Sequence, residues 1–510
     1  MMLTRQAPYW LRLLLVPVAG ALVPLSLAPY NWWFLGLVST GVLGACAYGL
    51  SGRRCFWLAL LFGLGMYGVG ASWVYVSIHQ FGSTSVPLAL VMTGLFVLGL
   101  SLAFALPFYA YGRWFNNHPW SLLLGFPAIW VLNEWMRSWL LTGFPWLYLG
   151  YGHLDTALAG WAPVFGVFGV SFLVAGTASV LLVLRLRQLP TRVQLIAAAL
   201  VAAIWSGGGL MRHIEWTRLD TTPISLGMAQ PNIPQERKWD PLFLNETFRI
   251  FHSLSAQLWE LDWVIWPEAA IPLLYHEAIA DLESLAEQAD RTDTVFITGI
   301  LYDEHVKQEY YNSIMALGKG SGMSFKTRLV PFGEYVPLEH WLRGLIDFFN
   351  LPTSYIHPGP PYEQGLEAKG VRIAPSICYE VVYPDLVAAR AAEANVLLTV
   401  SNDSWFGHSI GPLQHFEMAQ MRALETGRYM VRSTNSGVSG IIDPKGRVLI
   451  KGGRSTREAI IGQVYPATGV TPFIFWGSWP VVVMAFLSLG VLVRLMHRQR
   501  VASLSPCTES

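Results

Sequence analysis

Apolar runs of membrane length dominate this chain, and they restrict its possible folds more than any other feature. Seven occupy the first 210 residues, at 10–27, 33–50, 56–76, 87–111, 122–140, 163–184 and 193–210, and an eighth lies at 473–493. Crossing about 30 Å of hydrocarbon takes roughly 20 apolar residues in a helix, and each run comes near that length. Of the 510 residues only 13% are charged and 53% are hydrophobic, where a soluble chain carries about 25% charged. A large core alone does not explain that deficit. The first run lacks a small-residue cleavage site and a second follows almost at once, so it is expected to be retained. The expectation is about eight membrane helices.

Arginines orient them. Arg5 and Arg12 flank the first run, Arg53 and Arg54 the second and third, and Arg113 the fourth and fifth. Arg185, Arg187 and Arg192 lie between the sixth and seventh, and Arg494, Arg498 and Arg500 follow the last. The alternate loops, 28–32, 77–86 and 142–162, are nearly free of Lys and Arg. Basic loops stay cytoplasmic, so both termini are expected inside and the stretch between the seventh and eighth runs outside. Arg137 departs from this pattern, and Glu134, one helical turn earlier, is its expected ion-pair partner. The layout is then a membrane domain at 1–210, an outer domain at 211–471, and a final span with a tail at 472–510.

Within 211–471 charges and turn signals appear. Residues 224–229, 263–266, 294–301, 313–317, 371–377 and 395–400 read as buried strands, 282–290 and 416–426 as helices, and 438–450 as a hairpin. This predicts an α/β sandwich-like domain. A net charge of +1 supplies no basic face for nucleic acid. Cys46, Cys55, Cys378 and Cys507 form no CxxC pair, so neither a disulfide framework nor a zinc site is signalled. His408 and His415 are seven apart, with Gly411 and Pro412 between, and do not form one ligating helix face. Gly63, Gly65 and Gly68 have dinucleotide-loop spacing but lie inside an apolar run, where close helix packing accounts for them.

Three polar residues adjoin hydrophobic, strand-like stretches: Glu268 after Trp263–Pro267, Lys326 before Leu329–Gly333, and Cys378 after Ile373–Ile377. Taken singly, each has an ordinary explanation: a small buried thiol, a solvated loop carboxylate, a surface lysine. Together they can form a nucleophilic site. A carboxylate removes the thiol proton, the thiolate attacks a carbonyl, and an ammonium stabilises the oxyanion.

The stretches Trp266-Pro267-Glu268, Leu329-Val330-Pro331-Phe332-Gly333-Glu334-Tyr335 after Lys326, and Ile377-Cys378-Tyr379-Glu380 resemble the signatures of the nitrilase superfamily. With apolar spans on both sides, the whole chain resembles that superfamily's membrane-embedded branch, the apolipoprotein N-acyltransferases. The resemblance implies an α-β-β-α sandwich on a membrane bundle, a Glu268–Lys326–Cys378 triad and no cofactor or metal. It also implies residence in a bacterial inner membrane with the catalytic domain periplasmic. Cys378 would take an acyl chain from a phospholipid, and the α-amine of a diacylglyceryl-cysteine apolipoprotein would then receive it. Glu334, Tyr379 and Glu380 would support the triad, Trp239 would lie on a mobile loop, and Trp146 would sit near the site opening at the membrane interface. The alternatives are a membrane-tethered amidase, in which water resolves the thioester, and a membrane scaffold or transporter with a non-catalytic outer domain.

Overall fold

The computed structural model describes residues 8–82, 84–304, 306–331, 333–335, 356–360 and 365–504, with side chains as far as 499. Arg5, Phe332, Cys507 and the side chain of Arg500 lie outside the described set. The chain divides into two compact units. One comprises Met1–Ser72, Thr93–Ile214 and Ser478–Ser510, the other Trp73–Met92 and Glu215–Gly477.

The first unit is helical. Among the described residues five helices are long and apolar enough to cross a membrane: Tyr9–Ser26, Val86–Phe115, Ala157–Leu186, Thr191–Met211 and Trp479–Gln499. A sixth results if Gly52–Gly70 and Val74–Phe81, bent by 59°, count as one broken span. This is fewer than the eight expected. The run at 33–50 forms only Phe34–Ala47, about 21 Å of helix at 1.5 Å per residue, and the chain then turns through Gly49 at φ +72°. The run at 122–140 breaks into a π-helical Ser121–Gly125 and an α-helix Phe126–Arg137. That helix buries Asn133, Glu134 and Arg137. Glu134 accepts from Trp130 Nε1 (2.9 Å) and the Leu149 amide (3.0 Å). Arg137 donates to the Trp146 carbonyl at 2.9 Å and lies over the rings of Tyr67 and Tyr148.

The second unit holds two facing sheets. In chain order the strands of the first are β1 (Ile224–Gln230), β2 (Trp263–Ile265), β3 (Ile271–Leu274), β4 (Val295–Glu304), β5 (Glu309–Gly318) and β6 (Met323–Phe325). The second has β7 (Leu366–Ala368), β8 (Val371–Ile377), β9 (Val396–Ser401), β10 (Met430–Thr434), β11 (Gly440–Ile442) and β12 (Val448–Lys451). A last strand, β13 (Glu458–Val464), returns to pair antiparallel with β1. Spatial order is β13-β1-β2-β4-β5-β6, with β3 beside β4, and β12-β11-β10-β9-β8-β7 followed by Gly320–Ser321.

Alternation along the strands makes the layers. Leu226, Met228, Trp263, Ile265, Val295 and Ile297 form one buried cluster with Ile373, Ile377, Val396, Leu398, Val400 and Val431 of the other sheet. Their neighbours on the opposite pleat, such as Val264 and Phe296, pack with Phe251, Leu282 and Leu285 of helices Leu244–Ser255 and Ile279–Arg291. Helices Pro384–Ala391 and Gly411–Thr426 pack on the second sheet. The result is the α-β-β-α sandwich. All the expected strands and both helices are present, and residues 438–450 form the β11–β12 hairpin. β9 is buried at every position, as befits a parallel strand covered on both faces.

Candidate active site

Each sheet has a parallel heart, β1-β2-β4 in the first and β8-β9-β10 in the second. The carboxyl ends of parallel strands are where α/β folds collect reactive groups. Glu268 follows β2, Cys378 follows β8, and Ser401, Asn402 and Asp403 end or follow β9. Register explains two of the pairings. Ile377 is level with Val400, so the next residues, Cys378 and Ser401, come side by side. Ser313 is level with Phe325 in the antiparallel β5–β6 pair, which sets Asn312 beside Lys326.

Glu268 and Lys326 are both buried. Lys326 Nζ lies 2.8 Å from Glu334 Oε1 and 3.4 Å from Glu268 Oε1. Asn312 Nδ2 donates to both carboxylates, at 2.8 Å to Glu268 and 3.2 Å to Glu334. Glu268 Oε2 accepts from the Asn402 amide at 2.8 Å, which ties the first sheet to the second. Burial alone would pull the Lys326 ammonium down, but Glu334 and then Glu268 outweigh it and hold its pKa above the ordinary lysine value. Lys326 therefore stays cationic.

Cys378 is half-buried and sits at φ +50°, a left-handed conformation that non-glycine residues enter at a cost. Burial and then the charge of Glu268 push its thiol up to about 12, against the opposing pull of Lys326. At neutral pH the resting group is a thiol. Ser401 Oγ lies 3.3 Å from Sγ and 2.6 Å from Asp403 Oδ1. Asp403 pairs with Arg432 at 2.7 Å and His415 at 3.1 Å, while His415 Nε2 lies 3.2 Å from the Cys378 carbonyl. Burial works against the Asp403 anion, yet Arg432 and His415 hold its carboxyl well below the usual range.

The supporting residues divide. Glu334 is a direct partner of Lys326. Glu380 accepts from the Ile377 amide, from the Thr327 amide and hydroxyl, and from both Nη atoms of Arg390. It thereby clamps the turns carrying Cys378 and Lys326. Tyr379 is buried edge-on against Tyr383, their ring centres 5.4 Å apart. Trp239 is partly exposed, and its neighbour Lys238 is the side chain that reaches the site, donating to the Glu268 carbonyl at 2.9 Å. Trp146 belongs to the helical unit, fully buried and stacked on Phe144. Sequence reasoning missed Asn312, Asn402, Ser401, Asp403, Arg432 and Lys238. Strand-end position could have flagged Ser401 to Asp403. His415, weighed only as a metal ligand, instead braces the cysteine turn.

This fold and the groups around Cys378 define a domain of carbon-nitrogen hydrolase type. Residues 226–470 match the family described as Carbon-nitrogen hydrolase, and residues 19–180 match the Apolipoprotein N-acyltransferase N-terminal domain. The apolipoprotein N-acyltransferase of Pseudomonas aeruginosa is 44% identical over 501 residues, covering 96% of this chain and 97% of that protein. Those of Azotobacter vinelandii (43% over 510 residues, 99% of this chain and 98% of that protein) and Coxiella burnetii (38% over 480 residues, 93% and 99%) are also similar. A solved branch 10 nitrilase-superfamily structure from Saccharomyces cerevisiae aligns with TM-score 0.37 at 16% identity, over 48% of this chain and 90% of that one. The chain belongs to the apolipoprotein N-acyltransferase family.

Proposed function

We propose that this membrane enzyme moves an acyl chain from a phospholipid, through a thioester on Cys378, to the N-terminal α-amine of a diacylglyceryl-cysteine apolipoprotein. In the first step the Sγ–C bond forms and the ester C–O bond breaks. Glu268 takes the thiol proton and returns it to the lysophospholipid oxygen that leaves. In the second step the amine attacks, the C–S bond breaks, and Glu268 relays the amine proton to sulfur. Lys326 and a main-chain N–H beside Cys378 meet the oxyanion in both steps. Lys326 suits that role because among the described residues its carboxylate partners use two of its three N–H bonds.

The observation that carries this reading is the convergence at the strand ends: Glu268 lies 3.4 Å from Lys326 and accepts from the Asn402 amide, next to Ser401, whose hydroxyl is 3.3 Å from the Cys378 thiol. That thiol, protonated at rest, needs a base during attack. Glu334, Glu380 and Tyr379 would hold the triad, and Trp239 would lie on a loop near it.

The arginine pattern supports an outer, periplasmic catalytic domain at 211–471 between membrane segments 1–210 and 472–510. Phe34–Ala47 and the broken 121–137 stretch would complete eight spans. The loop after Trp73 adds support for the sidedness. Trp73 meets Phe406 edge-on at 4.6 Å between ring centres and Ser77 donates to the Trp405 carbonyl at 2.7 Å, so a loop expected outside packs within the same unit as the site. The test withholds the acceptor and supplies phospholipid. An acyl adduct on Cys378 should accumulate by mass spectrometry, vanish in Glu268→Gln, and discharge when a lipopeptide amine is added. Rapid turnover with water alone would favour the amidase.

A further inference from the structure

The single helical turn Gln235–Lys238 is fastened to Glu268 at two points. Lys238, buried, donates from Nζ to the Glu268 main-chain carbonyl at 2.9 Å. Gln235 Oε1 accepts from Asn402 Nδ2 at 2.6 Å, and the Asn402 amide in turn holds Glu268 Oε2 at 2.8 Å. One short segment thus grips the main chain of the glutamate directly and its carboxylate through one intermediary.

The turn it grips has little freedom of its own. Ala269, next after Glu268, lies at φ +44°, a conformation that residues with a Cβ hold only when their surroundings impose it. Gly299 on β4 presses against the same turn, where a Cβ would meet Ala269 N at 2.6 Å and Glu268 Cα at 2.8 Å. A buried void of about 10 Å³, lined by Lys238, Glu268, Ala269 and Asn435, lies beside it, room for about one water molecule.

We propose that Lys238 is a positioning residue of the transfer reaction: its ammonium fixes the Glu268 turn, so the carboxylate is aimed at Cys378 only while the Gln235–Trp239 segment is seated. The proposal rests on the reading of Glu268 as the base. The coupling would give the site a dependence on the segment that carries Trp239, without Lys238 meeting substrate. Burial lowers Lys238 to about 8, against the opposing charge of the Glu268 carboxylate. The hold therefore weakens as pH rises through that value.

The test uses the full-length protein in phospholipid-containing micelles with acceptor withheld. It follows the rate of adduct formation on Cys378 from about pH 6 to about pH 10. Lys238→Met should acylate ~10²-fold more slowly, the loss expected of a slightly misaimed group, with phospholipid half-saturation changed less than about threefold. Lys238→Arg, which keeps its charge at all these pH values, should recover to within about tenfold of wild type and lose the alkaline fall near pH 8. A Lys238→Met protein with the wild-type rate and alkaline limb overturns the proposal. So do Met and Arg variants that are equally slow with one pH profile. Glu268→Gln runs in parallel: if it acylates normally, the base assignment itself fails, a result distinct from either Lys238 outcome.

Discussion

The two sheets treat charge in opposite ways. On the first, Glu268 from the turn after β2 meets Lys326 and Glu334 from the stretch after β6, two carboxylates sharing one ammonium with Asn312 spanning both. On the second, the sulfur sits against a buried network in which Ser401, His415 and Arg432 all converge on the Asp403 carboxylate. Under the function proposed above, the first arrangement accepts and releases the proton. The second can mainly hold still. The difference teaches a division of labour, with proton traffic on one side of the sandwich and geometry on the other.

The largest effect should come from breaking the mobile-charge side. Lys326→Met removes the proposed oxyanion partner and leaves the buried Glu268 and half-buried Glu334 carboxylates facing each other. Acylation of Cys378 in a single-turnover assay should fall ~10²–10³-fold, and chemical denaturation should show a loss of about 3–5 kcal/mol. Asp403→Asn tests the rigid side and should move stability more than chemistry. The folded pKa of Asp403 is depressed, so the carboxylate contributes stability that is complete above about pH 4 and is lost as pH falls through the lower folded value. In the Asp403→Asn protein, thermal unfolding followed across acidic pH should lose part of that acid limb, with acylation at neutral pH within about tenfold of wild type. Ser401→Ala is the mildest probe. Removing the hydrogen bond at sulfur is worth about 1 kcal/mol, or roughly fivefold in acylation rate, while loss of the same hydroxyl's bond to Asp403 falls on stability. A Ser401→Ala loss as large as that of Lys326→Met would erase the division drawn between the sheets.

Much of the site was legible because chemistry-bearing residues stood at the ends of apolar strands. Glu268 and Cys378 each close a run that could hardly be anything but a buried strand, and Glu334 and Glu380 lie in the same motifs. What stayed hidden arises only when strands are set side by side. Ser401 meets Cys378 through the β8–β9 register, and Asn312 meets Lys326 through the β5–β6 register. Trp239 came from the family resemblance alone, whereas Lys238, a lysine in a charged stretch, looks solvated. Hydropathy counted apolar runs correctly but could not see where helices stop. Gly49 and the buried Asn133, Glu134 and Arg137 shorten two runs whose composition alone resembles the others.

The stretch Trp73–Met92, which clusters with residues 215–477 although it is flanked in sequence by apolar helices, has a practical corollary. Anyone excising 211–471 as a water-soluble fragment would strip Trp405 and Phe406 of their partners Phe81 and Trp73. Those indole and phenyl faces stand immediately beyond Asp403. A truncation chosen from the linear map would thus leave a sticky scar next to the reactive sulfur, and a faithful minimal enzyme has to be stitched from two distant pieces of chain.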